Sequence, residues 1–116
     1  MSDIKTNNVW LMKGDCLERM KEIESGSVDL ILTDPPYGTT ACKWDSVIPF
    51  DEMWLRLNKL IKPNGAIVLF GSEPFSSALR MSNIKKYKYD WIWSKDTKSN
   101  FPQANHQPLN NIENII

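Results

Sequence analysis

Histidine occurs once and cysteine twice in this chain of 116 residues. Cys16, Cys42 and His106 show no metal-ligand spacing, and two isolated thiols make no disulfide framework. Neither a zinc site nor a stapled secreted scaffold is expected. No signal peptide opens the chain, and no apolar run approaches the roughly 20 residues that a membrane helix needs. A reducing cytoplasm is therefore the expected setting. Net charge is lacking too: fourteen bases balance fourteen acids, which gives no overall electrostatic case for nucleic acid. The distribution is less even. Residues 1–52 hold ten acids and five bases, and residues 53–116 four acids and nine bases, so attraction to phosphate could act through the second half alone. No internal repeat or low-complexity tract occurs.

What is present suffices for one domain with a real core: 41% apolar residues, five of them tryptophan. Val9-Trp10-Leu11-Met12 reads as a first strand after a frayed start over 1–8. Asp15 sits at a helix N-cap, with Glu18 completing a capping box, and Leu17, Met20 and Ile23 recur at helical spacing, which predicts a helix over 16–24. Ser25-Gly26-Ser27 breaks it, and Val28–Leu32 is a buried strand. An irregular stretch over 39–50 follows. A second helix is expected from a cap at Asp51, with Met53, Trp54, Leu57, Leu60 and Ile61 on one face. Lys62-Pro63-Asn64-Gly65 reads as a stop and turn, 66–70 as a strand, 74–81 as a helix and 87–93 as another strand. Residues 96–111 turn polar and read as a long loop before a last strand begins at Ile112. Strands alternating with helices predict an α/β fold, with a mainly parallel sheet and helices on both faces. Ligands in such sheets gather at the carboxyl ends of strands. Asp15, residues 34–38 and Gly71-Ser72-Glu73 fall at those ends and are expected on one rim.

The strand 28–32 delivers Thr33-Asp34-Pro35-Pro36-Tyr37-Gly38. Two prolines fix φ at consecutive positions, remove two donors and push the residue before each towards extended geometry. Strand pairing must end here, leaving a stiff arm that carries a carboxylate (Asp34), a free carbonyl (Pro35) and an aromatic ring (Tyr37). Two acceptors and a stacking surface at fixed spacing suit a planar base bearing an amino group. Taking both N–H bonds would draw that nitrogen towards tetrahedral geometry and free its lone pair for attack. An Asp-Pro-Pro tripeptide alone can be a mere strand-ending turn; the hexapeptide after an apolar strand says more.

On these residues the sequence resembles the amino-methylating DNA methyltransferases, which act on N6 of adenine or N4 of cytosine. It is similar to the subgroup whose catalytic half precedes its cofactor half. The likeness rests on Gly14-Asp15-Cys16, Ser27-Val28-Asp29-Leu30 running into the motif at 33–37, Lys62-Pro63-Asn64-Gly65-Ala66, Phe70-Gly71-Ser72 and Trp91-Ile92-Trp93-Ser94-Lys95. It implies a Rossmann-like methyltransferase fold and transfer of a methyl group from S-adenosylmethionine to a base flipped out of double-stranded DNA. Asp34 and the Pro35 carbonyl would hold the target amino group, Pro36 would complete the catalytic motif, and Tyr37 would stack on the base. Asp15 and Cys16 would lie against the adenine of the cofactor, although a helix cap alone also explains Asp15. Trp93 and Lys95 match a segment near the target base, while strand aromatics often serve as core. Trp44 either touches DNA or covers the core. Lys85, Lys86 and Lys88 either meet phosphate or form a solvated run.

The aspartate in the motif leans towards adenine N6, because many cytosine N4 enzymes carry serine there. Protein glutamine methyltransferases carry asparagine, which counts against that substrate, and adenine in RNA stays open. The family's Phe-x-Gly-x-Gly loop, its main cofactor grip, has no match in 1–116. The expectation is thus the catalytic half of a restriction-modification type DNA adenine methyltransferase, truncated, with inactivity on its own as one hypothesis. The alternatives are one chain of a split enzyme whose partner chain supplies the cofactor half, a self-associating fragment, or a non-catalytic DNA- or protein-binding remnant. Unpaired inner sheet edges would then favour association.

Overall fold

The computed structural model describes residues 2–40, 42–43, 45–99 and 110–116. The chain divides into two compact units, one formed by 1–31 with 51–67 and the other by 32–50 with 68–116.

In the first unit, β1 (Ile4–Lys5) and β2 (Trp10–Leu11) form an antiparallel two-stranded sheet, with Ile4 opposite Leu11 and Lys5 opposite Trp10. The start of the chain is therefore paired, where fraying was expected. Arg19 explains why: its guanidinium binds the Asp3 carboxylate and Glu22, and Asp3 also accepts from the Lys13 backbone and Trp10. Helix α1 (Cys16–Arg19) is shorter than the expected 16–24. It starts from the Asp15 cap, whose Oδ1 accepts from Leu17 N at 2.9 Å, and passes into a 3-10 turn over Met20–Glu22. Helix α2 (Phe50–Leu60) buries Met53, Leu57 and Leu60, one stripe at four- and three-residue spacing. Asp51 lies inside its first turn instead of capping it.

Strand β3 (Val28–Thr33) neighbours β4 (Ile61–Gly71), and Lys62 pairs with Asp29 at 2.8 Å. The expected turn at 62–65 is thus extended chain. Gly65 permits it, because a Cβ there would stand 2.6 Å from the Ile61 side chain and 3.0 Å from the Asp29 carbonyl.

In the second unit, α3 (Phe75–Ser82) buries Phe75, Ser76 and Leu79, and Leu69 of β4 is buried as well. Strand β5 (Trp91–Ser99) and β6 (Asn110–Ile115) complete the order β4-β6-β5. Strand β6 runs antiparallel to both neighbours, with Phe70 opposite Ile115 and Trp93 opposite Glu113. The α/β class holds, but these ladders make the sheet mixed instead of mainly parallel. Only ten residues separate β5 from β6, and a parallel return needs a crossover of about a dozen or more. The expected loop over 96–111 narrows accordingly, since backbone pairing reaches Ser99 and Asn110. Among the described residues no helix is long and apolar enough to cross a membrane.

Candidate active site

The arm after β3 belongs to the second unit. Pro35 is buried, Pro36 and Tyr37 are half-buried, and Asp34 is exposed. The Tyr37 hydroxyl donates to Asp34 Oδ1 at 2.5 Å, a local link that the three-residue spacing makes possible. The Tyr37 ring stacks on Phe75, with centroids 5.1 Å apart and planes at 26°, and Phe50 lies 5.8 Å beyond on the other ring. Burial first, then the bond to Asp34 and the nearby Glu113 charge, push the Tyr37 hydroxyl far above its ordinary 10. The phenol is neutral and stays a donor at any working pH.

Gly38 follows at φ +72°, a left-handed conformation that glycine adopts freely, and a Cβ there would stand 2.8 Å from Val47 Cγ2. The turn is closed by Asp45, one of two buried polar side chains among the described residues. Its carboxylate accepts from Gly38 N at 3.0 Å, Thr40 N at 2.8 Å and Thr40 Oγ1 at 2.6 Å. These bonds, with the Thr40 hydroxyl and the Gly38 amide foremost, hold the acid below its ordinary 3.8 despite burial.

Gly71, at the end of β4, is buried, and a Cβ there would meet Ser76 Oγ at 2.7 Å. That close approach seats α3, and Ser76 Oγ, wholly buried, donates to Asn114 Oδ1 at 2.8 Å. Helix α3 thereby presents Phe75 to Tyr37.

Trp93 and Lys95 share this unit. Trp93 is half exposed and meets Phe70 edge-on at 6.0 Å, while Lys95 reaches Glu113 at 3.5 Å. The Glu113 charge also helps to raise the Tyr37 hydroxyl. Asp15 and Cys16 are exposed at the start of α1, in the first unit; Oδ1 of Asp15 serves the cap, which leaves Oδ2 for a ligand. Trp44 lies outside the described residues. Phe75 and Asp45 were missed from sequence. Nothing in Pro74-Phe75-Ser76 marks a ring partner for a tyrosine 38 positions earlier, whereas an acid seven residues past the glycine that ends the motif was a usable hint.

No family model matches the chain. It is 29% identical over 113 residues to type II methyltransferase M.HinfI of Haemophilus influenzae, which spans 73% of this chain and 31% of that protein. It is 33% identical over 94 residues to type II methyltransferase M.HpaI of Haemophilus parainfluenzae, 71% of this chain and 30% of the relative. The chain thus spans about three-tenths of the length of these curated relatives. In structure it is similar to PvuII DNA methyltransferase (cytosine-N4-specific), with a TM-score of 0.64, 18% identity and coverage of 90% of this chain and 46% of the other. That likeness fixes the fold.

Proposed function

Because the chain belongs to the family of the amino-methylating DNA methyltransferases, we propose that it carries the part of an adenine-N6 methyltransferase that holds the target base. The observation that carries this reading is the self-closed arm: an exposed carboxylate and a tyrosine ring, joined at 2.5 Å, with the ring backed by Phe75. An arriving base stacks on the ring, and its amino group takes over the acceptor that the phenol now occupies. One aromatic–base stack of ~1–3 kcal/mol offsets much of the few kcal/mol that unstacking the base costs. Asp34 and the Pro35 carbonyl then accept both N–H bonds and leave the nitrogen lone pair directed outwards. Tyr37 takes part as a neutral phenol.

S-adenosylmethionine, the methyl donor of the reaction, would supply an electrophilic methyl group on sulfur. On this chain the exposed Asp15, with one oxygen free, and Cys16 are the residues that fit contact with it, at its adenine end. Double-stranded DNA is the proposed partner. A second reading, cytosine N4, draws support from the name of the structural neighbour, and the same two acceptors would serve it.

The test uses a duplex with a single mismatched 2-aminopurine, which costs less to unstack and relaxes the need for a recognition sequence. Binding should raise its fluorescence, and Tyr37→Ala should abolish the rise. Competition by a mismatched adenine duplex should exceed that by a mismatched cytosine duplex. A rise indifferent to Tyr37 sinks the proposal, and preference for cytosine moves it to N4.

A further inference from the structure

Resting on that reading, we infer that Asp45 is a positioning residue: its carboxylate gathers the backbone that follows Tyr37 and so sets the direction in which Tyr37 and Asp34 meet a base. Burying a carboxylate is costly unless its lone pairs are satisfied. Lysine and arginine take no part in satisfying Asp45 among the described residues. Its partners are instead the amides of Gly38 and Thr40 and the Thr40 hydroxyl, all within three residues of Tyr37. A row of neighbouring N–H groups converging on one anion is a nest, and here the anion belongs to the chain itself. Asp45 N in turn donates to the Cys42 carbonyl at 3.0 Å, which tightens the same loop.

The geometry assigns each end of Tyr37 a different hold. Its ring is fixed by Phe75, its hydroxyl by Asp34, and its backbone by the turn that Asp45 closes. Gly38 cannot set that turn alone, because glycine at positive φ has many other conformations open to it. Without the carboxylate, the loop retains the chain reversal but loses what selects it. A purely structural role for Asp45 would lower stability and leave Tyr37 as it is.

The test labels tyrosine Cζ with carbon-13 in the 116-residue chain and compares wild type, Asp45→Ala, Asp45→Asn and Thr40→Val. Each is first confirmed to be folded by its melting curve. In the wild type the Tyr37 resonance should titrate above the ordinary tyrosine value of 10. In Asp45→Ala it should titrate at lower pH than in the wild type, with Asp45→Asn and Thr40→Val intermediate. If Asp45→Ala does not fold, the two milder variants decide the matter. A Tyr37 resonance unchanged in every folded variant overturns the inference.

The mismatched 2-aminopurine duplex separates this inference from the base-holding reading. A response lost about tenfold or more in Asp45→Ala, as in Tyr37→Ala, supports both. A response lost in Tyr37→Ala but kept in Asp45→Ala overturns the positioning role alone. A response absent from wild type, or indifferent to Tyr37, overturns the base-holding reading, and the carbon-13 titration still decides whether Asp45 sets Tyr37.

Discussion

Gly38 combines a positive φ with a neighbour 2.8 Å from where a Cβ would sit, so Gly38→Ala should cost roughly 1–2 kcal/mol for the backbone alone, and more for the clash with Val47. Urea denaturation of the folded chain checks this. At Ser76, wholly buried, removal of the hydroxyl leaves the Asn114 carbonyl without its donor. Ser76→Ala should destabilise by about 1–3 kcal/mol, read by the same method. The acids have a common sign. Asp45, Glu73 and Asp90 are held below their ordinary values: Asp45 by the Thr40 hydroxyl and Gly38 amide, Glu73 by Ser77 and Arg80. At Asp90, burial works the other way, but bonds from Arg80 and Tyr87 outweigh it. As pH falls the unfolded chain takes up protons first, so stability is complete above the ordinary carboxylate values, near pH 4–5, and drains away below them. The urea midpoint should drop between pH 4 and 2, and drop less steeply in Asp45→Asn.

Among the elements, α1 depends on its cap more than its length warrants, since four residues carry little helical stability of their own. Asp15→Ala should cost about 0.5–2 kcal/mol, whereas Asp15→Asn, which keeps an acceptor for Leu17 N, should change the melting curve little. Loss of ligand response in Asp15→Asn at unchanged stability would then reveal a role beyond capping. Helix α3 carries a different load. Phe75 is core and the backing of Tyr37 at once, so Phe75→Ala should lose ~3–5 kcal/mol, and Phe75→Leu, which keeps apolar bulk but no ring, should separate packing from stacking.

For the whole molecule, the exposed apolar side chains matter most. Strands β3 and β5 are the edges of the four-stranded sheet. Leu30 and Leu32 of β3 are 53% and 61% exposed, and Trp91, Ile92 and Trp93 of β5 are half exposed or more. Edge strands with unprotected apolar side chains invite pairing with further chain. Sedimentation should show association that grows with concentration, and Leu32→Lys should reduce it; a strictly monomeric wild type at high concentration would refute this.

The sequence by itself determined the α/β alternation, the burial of α2 through Met53, Leu57 and Leu60, the Asp15 cap and the arm at 33–38. Each follows from local rules, namely periodicity, capping and the restriction that two prolines impose. Tertiary structure decided what local rules cannot reach. The antiparallel insertion of β6 is a matter of pairing partners, and the extended Lys62-Pro63-Asn64-Gly65 follows from a neighbouring strand outweighing its turn propensity. The Phe75 ring against Tyr37 joins residues 38 positions apart, through a helix seated by the bare Gly71. Asp45 falls between the two cases: its distance along the chain is short, but only the folded turn shows that three donors converge on it.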